Sequence, residues 1–596
     1  MTQSKAAPLR DYAAIGDGRT VALVSRSGSI DWLCLPDLDS SSVFASILDV
    51  ERGGRFELAP DEAYESTRRY APDTNILETT FHTAEGVVRL TDAMTISAQG
   101  LAPGRELVRR VEGLSGTVSL RWRVEPRFGY GRRRTRIARR GQVPVVTSGS
   151  DALAVRSWSA GEQQFGVDSV GGHFSLEQGE VALIALGSSH QEPLVFASRA
   201  EAERRLDETL AWWRSWVAGR TYEGSWREAV LRSALALKLV VFAPSGAIAA
   251  APTTSLPEWI GGERNWDYRF CWVRDAAFTL NAFLQIGCPT EAEAFFWWLM
   301  HASQLTHPEL RVLYTLGGGT SRPEDALPLA GYRGSKPVRV GNAAATQRQL
   351  DVYGELFEAV AIYRRAGNEI DSDFGRRLAR TADLVCRIWR EPDSGIWEVR
   401  SEPVHFTQSK MACWAALVGA IALARDGQIP GAHAPRWRRE AIRIREFVDS
   451  RCWSERRRSY VRFAGADELD ASLLLGVLMR YGDGFDERLV ATVDAVRREL
   501  GSGPLLHRYE GEDGLEGGEG VFLACSFWLV EALARCGRPD EAAELMEELL
   551  SLANDVGLYA EELEPETGEF LGNFPQALVH LALISAASAV NEAQGR

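Results

Sequence analysis

Histidine and cysteine are scarce, nine and eight among 596 residues. The histidines form no HExxH motif and no i,i+4 pair, so no zinc site is expected. Cys34, Cys271, Cys288, Cys386, Cys413, Cys452, Cys525 and Cys536 include no CxxC pair, and several fall in apolar helical runs. They are expected to be buried, reduced thiols of a cytoplasmic protein. No apolar run reaches about 18 residues, and the opening MTQSKAAPLRDY lacks the apolar centre of a signal peptide, so neither a membrane span nor a secretory leader is expected. GGGT at 317–320 lacks the tail of a phosphate-binding loop, there is no GxSxG nucleophile elbow, and there is no DDxxD run of the helical terpene cyclases. Excess positive charge is also missing. The 67 Lys and Arg against 81 Asp and Glu leave a net charge of −14. That balance argues against nucleic acid and anionic membrane as partners and suits a neutral or cationic ligand.

What the sequence does have is tryptophan: 18 residues, an excess that fits stacking surfaces for flat ligands such as sugars. Its length allows up to about four domains at roughly 150 residues each, with one large and one medium domain the simplest division. The first third consists of short runs rich in Val, Leu, Thr and Trp, bounded by Gly, Asp and Ser, as in 20–26, 29–35, 76–83, 87–92 and 181–186. This predicts an antiparallel β-sandwich over 1–195. The arginine cluster at 132–140 reads as a solvated hairpin. A charged amphipathic linker helix is predicted within 196–222, and residues 223–596 hold about twelve helical stretches. Among them are 275–287, 342–367, 406–425, 468–481, 519–536 and 574–592. Twelve helices in alternating order can close as six hairpins, an (α/α)6 toroid whose even-numbered helices form an inner ring.

The loops preceding the even helices would then lie at one end, and the aromatic, polar and Gly-rich segments fall mostly there: 265–275, 394–406, 467–470, 513–520 and 558–576. Two carboxylates facing each other across such a cleft can do acid–base work on a bond between them. Glu398 follows Ile396 and Trp397, an apolar setting that keeps a proton on a carboxyl. Glu561 and Glu562 sit in an acidic loop where a carboxylate is expected to stay ionised and serve as a base. Asp275 reads either as a helix N-cap or, with Arg274, as a fork for adjacent sugar hydroxyls, flanked by Trp266, Tyr268 and Trp272.

In GGERNWDYRFCWVRDA, ATQRQLDVYGEL, GIWEVRSEPVHFTQSK, GGEGVFLACSFWLVEAL and AEELEPETGEFLGNFPQALVHL, the chain resembles glycoside hydrolase family 15, the glucoamylase and trehalase family. The N-terminal DYAAIGDGRTVALVSRSGSIDWLCLP is similar to the β-sandwich of its bacterial and archaeal members. The resemblance implies an inverting, exo-acting α-glucosidase that needs no cofactor for the hydrolytic step, with Glu398 as general acid and Glu561 as general base, about 6.5–9.5 Å apart. It also implies a sugar site formed by Arg274, Asp275, Trp272, Tyr268 and Trp397. Fungal relatives carry a second Glu after the acid, whereas Val399 stands here. A small carbohydrate is the expected partner, α,α-trehalose first and maltooligosaccharides or glycogen second, and a homo-oligomer is compatible with these features. The reading from another class is a catalytically silent sugar-binding scaffold. Trp32 and the loop at 36–43 are expected to reach from the sandwich toward the toroid, Trp32 as a rim residue or as core.

Overall fold

The computed structural model describes residues 6–96, 105–321, 323–482, 486–511, 513–515 and 517–595. Glu516, within the loop 513–520, lies outside them. The N-terminal region is two antiparallel sheets joined by one strand, Arg105–Glu125. Its first half pairs with Gly86–Met94 and Val181–His190, and its second half with Arg55–Pro60 and Val170–Glu177. The second half alternates, with Val118, Leu120, Trp122 and Val124 buried and Arg121 and Arg123 outward, the period-two pattern of a sheet with one wet face. Where the strand passes between sheets, Gly116 has φ +64°, and a Cβ there would lie 2.0 Å from the Glu85 carbonyl. Arg136–Arg140 pairs with Val143–Ser148 as a hairpin whose arginine-bearing strand is exposed, as expected for that cluster, while the returning strand is largely buried.

After this sandwich come, among the described residues, thirteen α-helices: α1 (Arg199–Ala218), α2 (Arg227–Val240), α3 (Ala276–Gln285), α4 (Pro289–Gln304), α5 (Val352–Arg365), α6 (Ser372–Ile388), α7 (Thr407–Arg425), α8 (Ala434–Arg451), α9 (Leu475–Leu478), α10 (Glu487–Leu500), α11 (Leu523–Arg535), α12 (Pro539–Leu550) and α13 (Ala577–Ala593). Helices α3, α5, α7, α9 with the preceding 3-10 turn Ala471–Leu474, α11 and α13 contact one another in sequence, and α13 returns to α3. These are the inner ring of a closed toroid. Composition explains the assignment. Residues 523–534 of α11 and 577–591 of α13 are buried on every side, whereas α6 buries Phe374, Leu378 and Val385 and turns its arginines outward. No helix among the described residues is long and apolar enough to cross a membrane.

Three helices are shorter than the sequence pattern suggests, all at the same end of the toroid. The stretch 342–367 becomes helical only at Val352, because Gly341 and Asn342 are tied to Asp267 by hydrogen bonds. The stretch 519–536 begins at Leu523, because Val521–Phe522 pairs as a strand with Glu562–Leu563. The stretch 468–481 is reduced to two short turns after Asp470 caps Ser472. In each case the N-terminal residues of an inner helix are diverted into the loop layer. All eight cysteines are free thiols, seven buried and Cys536 half-buried.

The sandwich buttresses the loop layer. Trp32 is fully buried, and its Nε1 donates to the Pro252 carbonyl at 2.9 Å. Arg269, paired with Asp267 at 2.7 Å, donates to the Ser40 carbonyl, also at 2.7 Å. Trp32 thus reaches across, but as core between the domains rather than as cleft rim. Trp32→Ala is expected to cost about 3–5 kcal/mol of stability, read as a lower denaturation midpoint. A change in substrate preference at unchanged stability would contradict the assignment.

Candidate active site

The sequence-predicted residues come from loops at the N-terminal ends of the inner helices. Tyr268, Trp272, Arg274 and Asp275 lead into α3, Trp397 and Glu398 precede α7, and Glu561 precedes α13. Those ends share one face of the ring: Tyr268, Trp397 and Glu398 line one cleft, and Trp272, Arg274 and Glu561 lie just behind it, bonded to Glu398 or Tyr268.

Glu398 is set by a tight turn. Its backbone lies in the left-handed region, φ +59°, and its N–H donates to Gly395 O at 3.2 Å. A non-glycine residue there costs of order 1–3 kcal/mol and is tolerated where the surroundings fix it. Trp272 Nε1 donates to Glu398 Oε1 at 2.6 Å, and Arg274 Nη1 approaches the same oxygen at 3.4 Å. Both cationic and neutral donors thus serve one oxygen, leaving Oε2 to carry a proton. Burial raises the Glu398 carboxyl above its ordinary range, against the opposing pull of Arg274 and the Trp272 N–H.

Asp275 occupies the N-cap position of α3 yet makes no capping bond. Its Oδ1 instead accepts from Arg274 Nε at 2.7 Å, and Arg274 Nη1 also donates to the Ile396 carbonyl at 3.2 Å. The side chain of Asp275 thus holds Arg274 rather than capping α3. Trp397, half-buried against Trp528, donates to Asp470 Oδ1 at 2.9 Å.

Glu561 departs from its sequence expectation. The acidic loop is not solvated: Glu561 is 1% exposed and Glu562 fully buried, because Glu562–Leu563 is the centre of a small sheet between Val521–Phe522 and Phe570–Leu571. Burial first, and then the neighbouring Glu258 charge, push the Glu561 carboxyl up to about 8. Tyr268 Oη donates to Glu561 Oε1 at 2.6 Å and the Asn573 N–H to Oε2 at 3.3 Å, and the phenolic donor opposes that rise. Gly572, φ +73°, makes this position available: a Cβ on it would fall 2.4 Å from Glu561 Oε2. Tyr268 and Trp272 meet edge to face at 5.3 Å. Two rings of one short segment thereby hold the two candidate carboxylates, Tyr268 on Glu561 and Trp272 on Glu398.

Glu562 faces elsewhere, its Oε2 accepting from Gly520 N at 2.9 Å. With Glu258 and Glu519 it forms a carboxylate triad whose oxygens lie within 4.8 Å of one another. The charge a cation would bring there is supplied by Arg508, whose Nη2 is 2.8 Å from Glu258 Oε2 and 3.3 Å from Glu562 Oε1 and also bonds Glu519. A second pair closes the rim. Arg264 forks onto Asp513 at 2.6 and 3.0 Å, and Tyr509 Oη donates to it at 2.7 Å. Burial alone would raise Asp513, but those donors hold it at about 2. Glu258, Arg264, Arg508 and Tyr509 were not singled out from sequence. HRYEGED at 507–513 is an aromatic, charged stretch of the kind that identified the other loops, and it offered the one available signal. One cleft is bounded by Glu258, Arg264, Tyr268, Trp397, Glu398 and Arg508.

Residues 224–588 match the family described as glycosyl hydrolases family 15, and residues 1–202 a domain described as trehalase-like, N-terminal. The chain is 39% identical to a trehalase of Mycolicibacterium smegmatis over 97% of its own length and 90% of that protein's. It is 36% identical to a trehalase of Thermoplasma volcanium over 98% and 93% of the two chains. A bacterial glucoamylase solved in complex with acarbose superposes with a TM-score of 0.73 at 13% identity, covering 99% of this chain and 94% of that one, a likeness of fold.

Proposed function

The chain belongs to glycosyl hydrolases family 15, and from that premise we propose that it hydrolyses α,α-trehalose to two molecules of glucose by inversion, with Glu398 as general acid and Glu561 as general base. The observation that carries this reading is the paired support of two carboxylates, Trp272 on the half-buried Glu398 and Tyr268 on the buried Glu561. Arg274 and Asp275 hold hydroxyls of the glucose being cleaved. Glu398 Oε2 delivers its proton to the glycosidic oxygen as the bond to the anomeric carbon breaks. Glu561, in its ionised form and held by Tyr268 Oη, takes a proton from the water that attacks the opposite ring face. No cofactor takes part in this step. The likeness to curated trehalases over nearly the whole chain supports trehalose as substrate. The rim pairs Arg264–Asp513 and Arg508–Glu258 border the same cleft as Glu398 and offer charged and polar groups to the second sugar. The carboxylate pair also weighs against a silent scaffold.

Glucose release from trehalose, maltose, maltotriose, isomaltose and starch tests the substrate. Trehalose is expected to give a kcat/KM at least about tenfold above maltose, a margin that one or two hydrogen bonds to the second sugar supply. A preference for maltotriose or starch would instead establish a glucoamylase.

A further inference from the structure

The toroid has a second mouth. At the C-terminal ends of the inner helices a cavity of about 390 Å³ opens between α3, α5, α7, α9, α11 and α13. Its lining includes Gln285 and Arg365, the last residues of α3 and α5, and Arg535, the last of α11, so it lies at the end opposite the cleft. The two are partitioned by an aromatic stack. Trp397 of the cleft packs on Trp528 at 5.9 Å, and Trp528 stacks on Phe278, which lines the cavity, at 5.8 Å and 19°.

The chemistry of this cavity is that of a site for an uncharged, hydroxyl-rich molecule. Its charges largely cancel: Glu531 pairs with Arg535 and Glu358 with Arg365, each at 2.7 Å. Phe278, Leu475 and Leu478 give it an apolar side. Asn281, Gln285 and Ser585 give it amide and hydroxyl groups, and Gln285 Oε1 is buried with no hydrogen-bond partner among the described residues. The strongest indication is Glu355. It is 4% exposed and lines the cavity from α5, and its carboxyl makes no hydrogen bond or ion pair among the described residues. A buried carboxyl without a partner costs free energy that a ligand hydroxyl would recover. Burial, with Asp351 and Glu358 nearby, raises its carboxyl well above the ordinary range.

We propose that this cavity is a second, non-catalytic binding site for a monosaccharide-sized polyol, with Glu355, Asn281 and Gln285 reading hydroxyls and Phe278 taking the apolar ring face. The test is calorimetric titration of the full chain with D-glucose, in the wild type, in Arg274→Ala, which disables the catalytic cleft, and in Ala415→Phe, which fills the cavity. The expected result is glucose binding that survives Arg274→Ala and is lost when Ala415→Phe is added to Arg274→Ala, while Ala415→Phe alone hydrolyses trehalose within about twofold of wild type. Should Ala415→Phe not fold, Glu355→Leu is the second variant, expected to weaken the surviving site at least tenfold. Complete loss of glucose binding in Arg274→Ala, or binding there that is indifferent to both cavity variants, overturns the proposal. The catalytic reading stands or falls separately, on trehalose hydrolysis by the wild type.

Discussion

Glu398→Gln is expected to lower kcat on trehalose by about 10²–10⁴-fold, the usual contribution of a positioned general acid, with little change in melting temperature. The amide is isosteric and can still accept from Trp272 Nε1, which now donates to Glu398 Oε1 at 2.6 Å. What it cannot do is release a proton to the glycosidic oxygen, so the loss falls on kcat while KM stays close to wild type. Burial already favours the neutral carboxyl, so removing its charge costs the fold little. A variant that retains full activity would falsify the assignment of the acid.

Glu561→Gln is expected to be as severe, about 10²–10⁴-fold, because the attacking water then has no acceptor for its proton. The control is Glu562→Gln. That residue faces Arg508 and Gly520, so its loss should be clearly smaller despite adjacency in sequence. The environment adds a pH signature. With the Glu561 carboxyl pushed up to about 8 by burial and by Glu258, one limb of the kcat/KM profile should lie near that pH. Glu258→Gln removes a neighbouring negative charge and keeps an oxygen for Trp266 Nε1, which bonds Glu258 Oε1 at 2.9 Å. The sign follows directly: without that charge the ionised form of Glu561 is less disfavoured, so the limb moves to lower pH, by about one unit. An unmoved limb, or equal losses in the Glu561 and Glu562 variants, contradicts the role given to Glu561.

The sequence and the structure agree where periodicity carries the information. The alternation of the N-terminal strands and the apolar faces of the helices were legible because burial on one side of a regular element repeats along it. The order of the loops located the site, since in an alternating helical ring every second loop must share an end. Legibility failed where local pattern is overruled by distant contacts. Residues 519–522 look like the start of α11, yet they pair as a strand with Glu562–Leu563 some 40 residues away. Glu561 looks solvated among acidic neighbours, and nothing in its local composition reveals the small sheet that buries it. Arg508 could not be assigned because its three partners, Glu258, Glu519 and Glu562, are dispersed along the chain. The support that Ser40 lends to Arg269, beside Tyr268, crosses between domains and leaves no trace in either segment alone.

The central claim is hydrolysis of trehalose by water attack opposite the departing sugar, and the anomers released at the earliest times test it most directly. Proton NMR of a fresh digest, recorded before mutarotation, separates α- from β-glucose. Inversion at the attacked carbon yields β-glucose, while the departing sugar leaves as α-glucose with its own anomeric bond intact. The account predicts equal amounts of the two anomers in the first spectra. Release of α-glucose alone, the result of retention through a covalent intermediate, or no release of glucose at all, would contradict it.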